Sequence, residues 1–393
     1  MSTLKVGGIR GVSASSDAIT VANDGTCSAN ITSNGGGQLS NRNKVINGGM
    51  TISQRHGTSA VQLSASEQYI VDRFKNDTGS SFDMKADASQ STDHPDGFSN
   101  SLKLVCDGVN SPGTDGNGGI STFIEGQDVQ DFGFGNSNAK ALTLSFYAKS
   151  AAQNANHTYS VMVGYAKDGT AARVKQSRSF TVTASWQRFT MTFQPTGVAQ
   201  SAGILNSNNY GIQIFFSLAA GSNDLVSEIT TWTEAQPLVG VTGQNNFFDA
   251  SGNELYITGV QLEVGSVATD FEHRSFGQEL ALCQRYFQVL GGSNGTYDSM
   301  STGSCASSTV AYVPHRLVTT MRSTPSFTLG GSASDFRYTK GADQTPSSLA
   351  LDQAGANMVA IRVSAASDHL VADDAIRLFN VNTTGSLQCS AEL

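Results

Sequence analysis

The run from residue 254 to residue 290 constrains the chain more than any other. Leu255, Ile257, Val260, Leu262 and Val264 are apolar and alternate with other residues, with one slip at Gly259. A period of two is the mark of a half-buried strand, and a glycine at the slip predicts a β-bulge. Ser275 follows, with Gln278 three residues on, a capping-box spacing ahead of an apolar run. Phe276, Leu280, Cys283 and Phe287 then recur at helical spacing. This predicts a short helix that turns those four side chains inward and leaves Glu279, Gln284 and Arg285 largely outside. Strand, connector, helix and a return to strand near Val289 read as a joint between two β units.

The remainder reads as strands and turns. Leu142, Leu144, Phe146 and Ala148 alternate with Thr143, Ser145, Tyr147 and Lys149. Further strands are expected at 101–106, 158–165, 179–182, 188–193 and 211–218, and beyond the helix at 308–318, 326–329, 336–339, 358–363 and 376–381. Lys167-Asp168-Gly169, Gln194-Pro195 and Ser251-Gly252-Asn253 separate strands as turn signals. The predicted fold class is mainly β. An N-terminal segment over 1–44 carries only very short strands and the hairpin signal Asn23-Asp24-Gly25. A large antiparallel β-sandwich of jelly-roll type follows over 45–274, then the linking helix within 275–290, then a smaller β domain over 291–393.

Composition supports this and narrows the function. The 393 residues include 41 glycines, only 14% are charged, and the formal net charge is −8. No Lys/Arg cluster exists, so a basic groove for nucleic acid is not expected. An anionic polymer would not be drawn in by bulk charge, and recognition has to be local. No apolar run reaches the length of a membrane span, and the first residues lack the apolar segment of a signal peptide, so neither membrane insertion nor export is expected. The five cysteines, Cys27, Cys106, Cys283, Cys305 and Cys389, are widely spaced, which points to free thiols.

Two groups of residues carry a resemblance. The first is Gln261-Leu262-Glu263-x-Gly265, then Ala268-Thr269-x-Phe271-Glu272, then Glu279-Leu280-x-x-Cys283-Gln284-Arg285-Tyr286. The second is Asn47-Gly48-Gly49-Met50, Gln54-Arg55, Tyr69 and Val71-Asp72-Arg73-Phe74. Together they resemble a module of tail-fibre and appendage proteins of tailed bacteriophages, of the marine and cyanophage type. The layout of 45–274 also resembles jelly-roll carbohydrate-binding modules, through Ser101 to Leu104, Phe146 to Lys149, Trp186 to Phe189 and Gln261-Leu262. The resemblance implies a virion structural protein, assembled in the host cytoplasm, that attaches through residues 1–44 to tail or capsid proteins and forms a homotrimer. It implies non-covalent binding of a host-surface polysaccharide, with the last domain as distal tip. A capsid decoration fibre and a glycan-depolymerising spike are the alternatives.

Candidate chemistry is sparse, and no catalytic residue is proposed. Gly291-Gly292-Ser293-Asn294-Gly295 fits a nucleophile elbow in letters, but no helix is expected after it. Glycan cleavage needs two carboxylates across a cleft, and the acidic residues are scattered. Asp93-His94-Pro95-Asp96-Gly97 reads as a polar turn. No cofactor is expected beyond a structural calcium, for which Asp107 and Asp115, in a stretch with Asn110, Asn117 and several glycines, are candidates. Sugar binding would use exposed aromatic faces beside amides. Trp232, Tyr210, Phe247 and Phe248 are the candidates, while Trp186, just ahead of a strand, reads as a packing residue.

Overall fold

The computed structural model describes residues 40–79, 82–167, 173–198, 203–234, 239–291 and 299–393. Ahead of them it gives the backbone of three short strands, Gly8–Ile9 (β1), Ile19–Val21 (β2) and Cys27–Ala29 (β3), paired antiparallel in that order. The chain is mainly β, as its alternation predicts.

Two antiparallel sheets pack face to face. The six-stranded sheet has the order Gln187–Phe193 (β13), Leu142–Ser150 (β10), Glu254–Val264 (β18), Ser101–Cys106 (β8), Ala86–Ser91 (β7), Val61–Gln62 (β4). The seven-stranded sheet runs Thr233–Glu234 (β16), Arg173–Thr181 (β12), Thr158–Ala166 (β11), Tyr210–Ala220 (β14), Asn117–Glu125 (β9), Phe74–Gly79 (β6), Tyr69–Val71 (β5). The chain passes back and forth between them, which makes a jelly-roll sandwich. Leu142, Leu144, Phe146 and Ala148 point into the core and are fully buried, as are Leu255, Val260 and Leu262. Gly259 reconciles the two halves of β18. It takes φ of +63°, and the register against β10 shifts between Ser145 and Tyr147. The extra residue keeps Leu255 and Ile257 inward before it, and Val260 and Leu262 inward after it.

The outer face of the seven-stranded sheet is polar yet covered. Ser160, Ser177, Gln213 and Ser217 are buried there. The stretches 221–232 and 239–246, with the short parallel pair Leu225–Val226 (β15) and Gly240–Val241 (β17), lie over it. Gln244 bonds the hydroxyls of Ser160 and Ser217, Ile229 N–H donates to Ser177 Oγ, and Arg178 donates to the Ile229 carbonyl.

The helix, Phe276–Gln284 (α1), starts with the capping box that Ser275 and Gln278 predict. Its buried face differs from the expected one. Phe276 is 65% exposed, while Glu279 and Cys283 are buried. The reason is polar: Glu279 accepts the Asn47 N–H and pairs with Arg274, which also donates to the carbonyls of Asn43 and Val45. A carboxylate with that many partners is stable inside, so it, rather than Phe276, sets the rotation of the helix.

After α1 the chain enters a second core around Val313, Phe336, Ile361, Val363 and Leu378. Its larger sheet has seven strands, in the order Ala342–Gln344 (β24), Phe336–Lys340 (β23), Ala375–Asn380 (β27), Ser299–Cys305 (β20), Val310–Arg316 (β21), Met358–Ser364 (β26), Ser348–Gly355 (β25). Phe287–Leu290 (β19), Ser386–Ser390 (β28) and Ser326–Gly330 (β22) form a small sheet beside it. The joint between the two units is densely bonded. Glu392 pairs with both Arg55 and Arg73, Arg285 grips Glu125 with two bonds of 2.7 and 2.8 Å, and Arg322 donates to Asn208 and to the carbonyls of Ala391 and Glu392. Residues carrying the appendage resemblance meet at this joint: Asn47 bonds Glu279 and the Asp72 carbonyl, Gln54 bonds Asp72 and the Phe287 carbonyl, Arg73 lies over Tyr286, and Arg285 bonds Glu125.

Candidate functional site

Side chains on the outer face of the six-stranded sheet build the best site. Cross-strand pairing brings Lys149 of β10 beside Tyr256 of β18, and Tyr256 beside Lys103 of β8. Trp186, just ahead of β13, meets Tyr256 edge to face at 6.2 Å. The Lys149 ammonium lies 4.7 Å from the Tyr256 ring centroid and 5.5 Å from that of Trp186. Tyr256 itself is buried, and its contacts hold the half-buried Trp186 in place above it.

Asp93 fixes this end. It accepts the Trp186 Nε1–H at 3.1 Å and pairs with Lys149. Burial pushes the Asp93 carboxyl up, but the bonds from Lys149 and Trp186 outweigh it and hold the group below its ordinary value. The polar turn read in Asp93-His94-Pro95-Asp96-Gly97 is therefore also the clamp on the tryptophan. Lys103 pairs with Glu254 at 2.9 Å, and Tyr256 donates to the same carboxylate at 2.8 Å. Partial burial works against the Lys103 charge, yet Tyr256 and Glu254 raise its pKa.

From Tyr147, two positions before Lys149 on the same strand face, the rings continue. Phe98 lies 5.3 Å from Tyr147, Phe271 lies 5.0 Å from Phe98, and His273 lies 4.9 Å from Phe271. Tyr147, Phe98, Phe271 and Trp186 are half-buried and His273 is exposed. One glycine makes room and a second lies alongside. A Cβ at Gly259 would stand 2.7 Å from Phe98 and 2.9 Å from Tyr147, and Gly49 abuts Phe271 and Phe98. The band thus runs along the sheet face to the connector before α1. There a recess of about 70 Å³ between Gly49, Phe98, Phe271 and Arg274 leads to a cleft of about 710 Å³ lined by His273, Arg274, Leu282, Arg285 and Thr319.

The aromatics expected to bind lie elsewhere. Trp232 is 3% exposed, packed against Phe134, Tyr165 and Phe193 in the core. Phe247 and Phe248 are fully buried, edge to face with each other and against Tyr159 and Phe82. These three close the inside of the sandwich, because short polar loops fold their rings inward over the open ends of the sheets. They are not surfaces for a sugar. Tyr210 is half-buried, its ring against Phe123 and its hydroxyl directed to the Gly164 carbonyl, away from the band. Trp186, read as packing, is the tryptophan at the surface. Its partners Asp93, Lys149 and Tyr256 are distant in sequence, and no local signal marks them.

Among the described residues no three His, Cys, Asp or Glu side chains gather as a metal cluster. Asp107 accepts from Gln62 at 2.9 Å, and Asp115 from Asn223 and Thr114 at 2.7 and 2.8 Å. Hydrogen bonds from Asn223 and Thr114 hold the Asp115 carboxyl below its ordinary value. The structure does not bring the two calcium candidates together in such a cluster. Cys106, Cys283, Cys305 and Cys389 are free and buried. Residues 292–295 of the Gly-x-Ser-x-Gly run lie outside the described residues.

No protein-family model and no curated protein matches the chain. Among solved structures, it is similar to the family 11 carbohydrate-binding module of cellulosomal cellulase Lic26A-Cel5E of Clostridium thermocellum. The identity is 15% over 54% of this chain and 98% of that one, with a TM-score of 0.28. It is similar to the CBM22-1 xylan-binding domain from Paenibacillus barcinonensis Xyn10C, at 11% identity over 54% of this chain and 99% of that one, TM-score 0.27. It is also similar to the enzymatically active domain of tailspike protein 4 of bacteriophage CBA120, at 14% identity over 56% of this chain but 21% of that one, TM-score 0.31. Likenesses this distant carry no function across, and the chain's own residues have to do so.

Proposed function

We propose that this chain is a non-enzymatic virion appendage protein, a tail fibre or spike, that binds host-surface glycan through the outer face of its six-stranded sheet. The observation that carries the binding reading is the ring band from Trp186 to His273. Sugar C–H faces pack on aromatic rings, and Asp93, Glu254, Lys103 and Lys149 stand beside the rings to meet hydroxyls. The motifs around Gln261, Glu279 and Asn47 support the appendage reading. Attachment would run through residues 1–44 and assembly would be trimeric, with the 291–393 unit exposed. No residue is asked to do covalent chemistry.

The test has two arms. Antibodies to the 291–393 unit, read by electron microscopy on intact particles, are expected at the tail or its fibres; label over the capsid shell would instead favour a decoration fibre. Soluble protein is expected to compete with particle adsorption, and Trp186→Ala protein to compete much less well. Equal competition by both would remove the band from the account.

A further inference from the structure

We infer that the site takes an internal stretch of a long, uncharged polysaccharide, rather than a chain end or a single sugar; this rests on the glycan-binding reading above. The first ground is continuity. The steps Tyr147 to Phe98 to Phe271 to His273 measure 5.3, 5.0 and 4.9 Å between centroids, so the rings form an unbroken track. His273 and Arg274 line both the small recess beside Phe98 and the large cleft beyond it. These rings lead from Tyr147, on the open sheet face, toward the space between α1 and the Thr319-Thr320 loop, and Lys149, on the same strand face as Tyr147, joins them to Tyr256 and Trp186. Recognition of a terminus calls for a pocket that closes over the last sugar. A surface that runs on past every ring suits a polymer.

The second ground is charge. Four of the five basic groups along the track are already paired with carboxylates. Lys149 pairs with Asp93, Lys103 with Glu254, Arg274 with Glu279 and Arg285 with Glu125, while Arg188 donates to Ser145 and to the Thr269 carbonyl. A sulfated or uronate polymer would find a carboxylate already paired with each of these cations except Arg188, whose bonds go to neutral oxygens, and it would meet a chain of net charge −8. A neutral polymer loses nothing on either count and gains the apolar contact.

The experiment is calorimetric titration of the full chain with mixed-linkage β-glucan, mannan and dextran, and with alginate as the anionic member. Each is supplied as polymer and as size-fractionated oligosaccharides. Trp186→Ala and His273→Ala variants, at opposite ends of the track, are titrated alongside, with thermal unfolding as the check on folding. The expected result is that a neutral polymer binds, that its tetrasaccharide binds roughly tenfold more weakly or worse, and that each variant weakens the polymer roughly tenfold. Added salt is expected to leave the affinity nearly unchanged. A tetrasaccharide as tight as its polymer, a folded His273→Ala variant with unchanged affinity, or preference for alginate with steep salt dependence would overturn the extended neutral site and leave glycan binding standing. Failure of every polymer to bind would contradict the glycan reading itself.

Discussion

The Arg73 guanidinium lies 3.5 Å from the ring centroid of Tyr286 and donates to the Glu392 carboxylate. One side chain thus ties the sandwich to the exit of the helix and to the residues after the last strand. Arg55 repeats the arrangement, 3.5 Å over the Phe287 ring and 3.1 Å from the same carboxylate. Burial works against the Arg73 charge, but Glu392 and its other neighbours outweigh it and raise its pKa. Desolvated ion pairs gain from excellent geometry and cost heavily when one partner is lost.

Arg73→Ala is expected to lower stability by about 3 kcal/mol, because it removes a fully buried guanidinium from Glu392, the Tyr286 ring and the Phe123 carbonyl and leaves Arg55 as the sole counter-charge to Glu392. Denaturant unfolding measures this. The double variant Arg73→Met, Glu392→Leu is expected to recover part of the loss, since the apolar pair needs no counter-charge but Arg55 gives up its carboxylate. A single variant within about 0.5 kcal/mol of the parent would mean that the pair is not what holds the joint.

Gly259→Ala tests the bulge and the ring band together. The residue sits at φ of +63°, and a Cβ would meet Phe98 at 2.7 Å and Tyr147 at 2.9 Å. The backbone alone costs about 1–2 kcal/mol. The expected outcome is a lower melting temperature together with weaker polysaccharide binding, as the two rings are displaced. A variant that keeps its affinity would separate these rings from the site.

Trp186→Ala and Phe247→Ala are expected to behave in opposite ways. Phe247 is fully buried, and its truncation is expected to cost about 3–5 kcal/mol. Trp186 is half-buried at the surface, so its loss is expected to weaken binding roughly tenfold with a much smaller change in unfolding. The comparison needs only thermal melts and a binding assay on the two proteins.

Stability is expected to fall as the pH drops below about 6.5. Burial holds the imidazoles of His56 and His315 below their ordinary value of 6.5, with Arg55 acting in the same direction on His56. A buried neutral histidine binds fewer protons folded than unfolded. The folded state therefore loses ground from the unfolded value downward, through each folded pKa. Melting temperatures across this window, repeated on His315→Gln, check the sign, and the variant is expected to show a shallower slope.

Much of the architecture is legible in the residue order. The alternation in β10 and β18 marks the strands, Gly259 marks the bulge, and Ser275 with Gln278 marks the start of the helix. Each is a local signal with a local cause. The rotation of α1 is not legible, because it depends on Glu279 finding Asn47 and Arg274. Nor is the ring band, since Phe98, Tyr147, Trp186, Tyr256 and Phe271 are gathered by strand pairing across most of the sandwich. Loop position likewise says little about whether an aromatic is inside. Trp232 and Phe247 stand in polar runs and are core; Trp186 stands beside a strand and is at the surface.

Hydroxyl-radical footprinting of the full chain, with and without a polysaccharide that it binds, tests the central claim most directly. Protection is expected at Trp186, Tyr147, Phe98, Phe271 and His273, with no change over 221–246. Protection over 221–246 or around Tyr210, with the ring band unchanged, would contradict it and place the ligand on the opposite sheet.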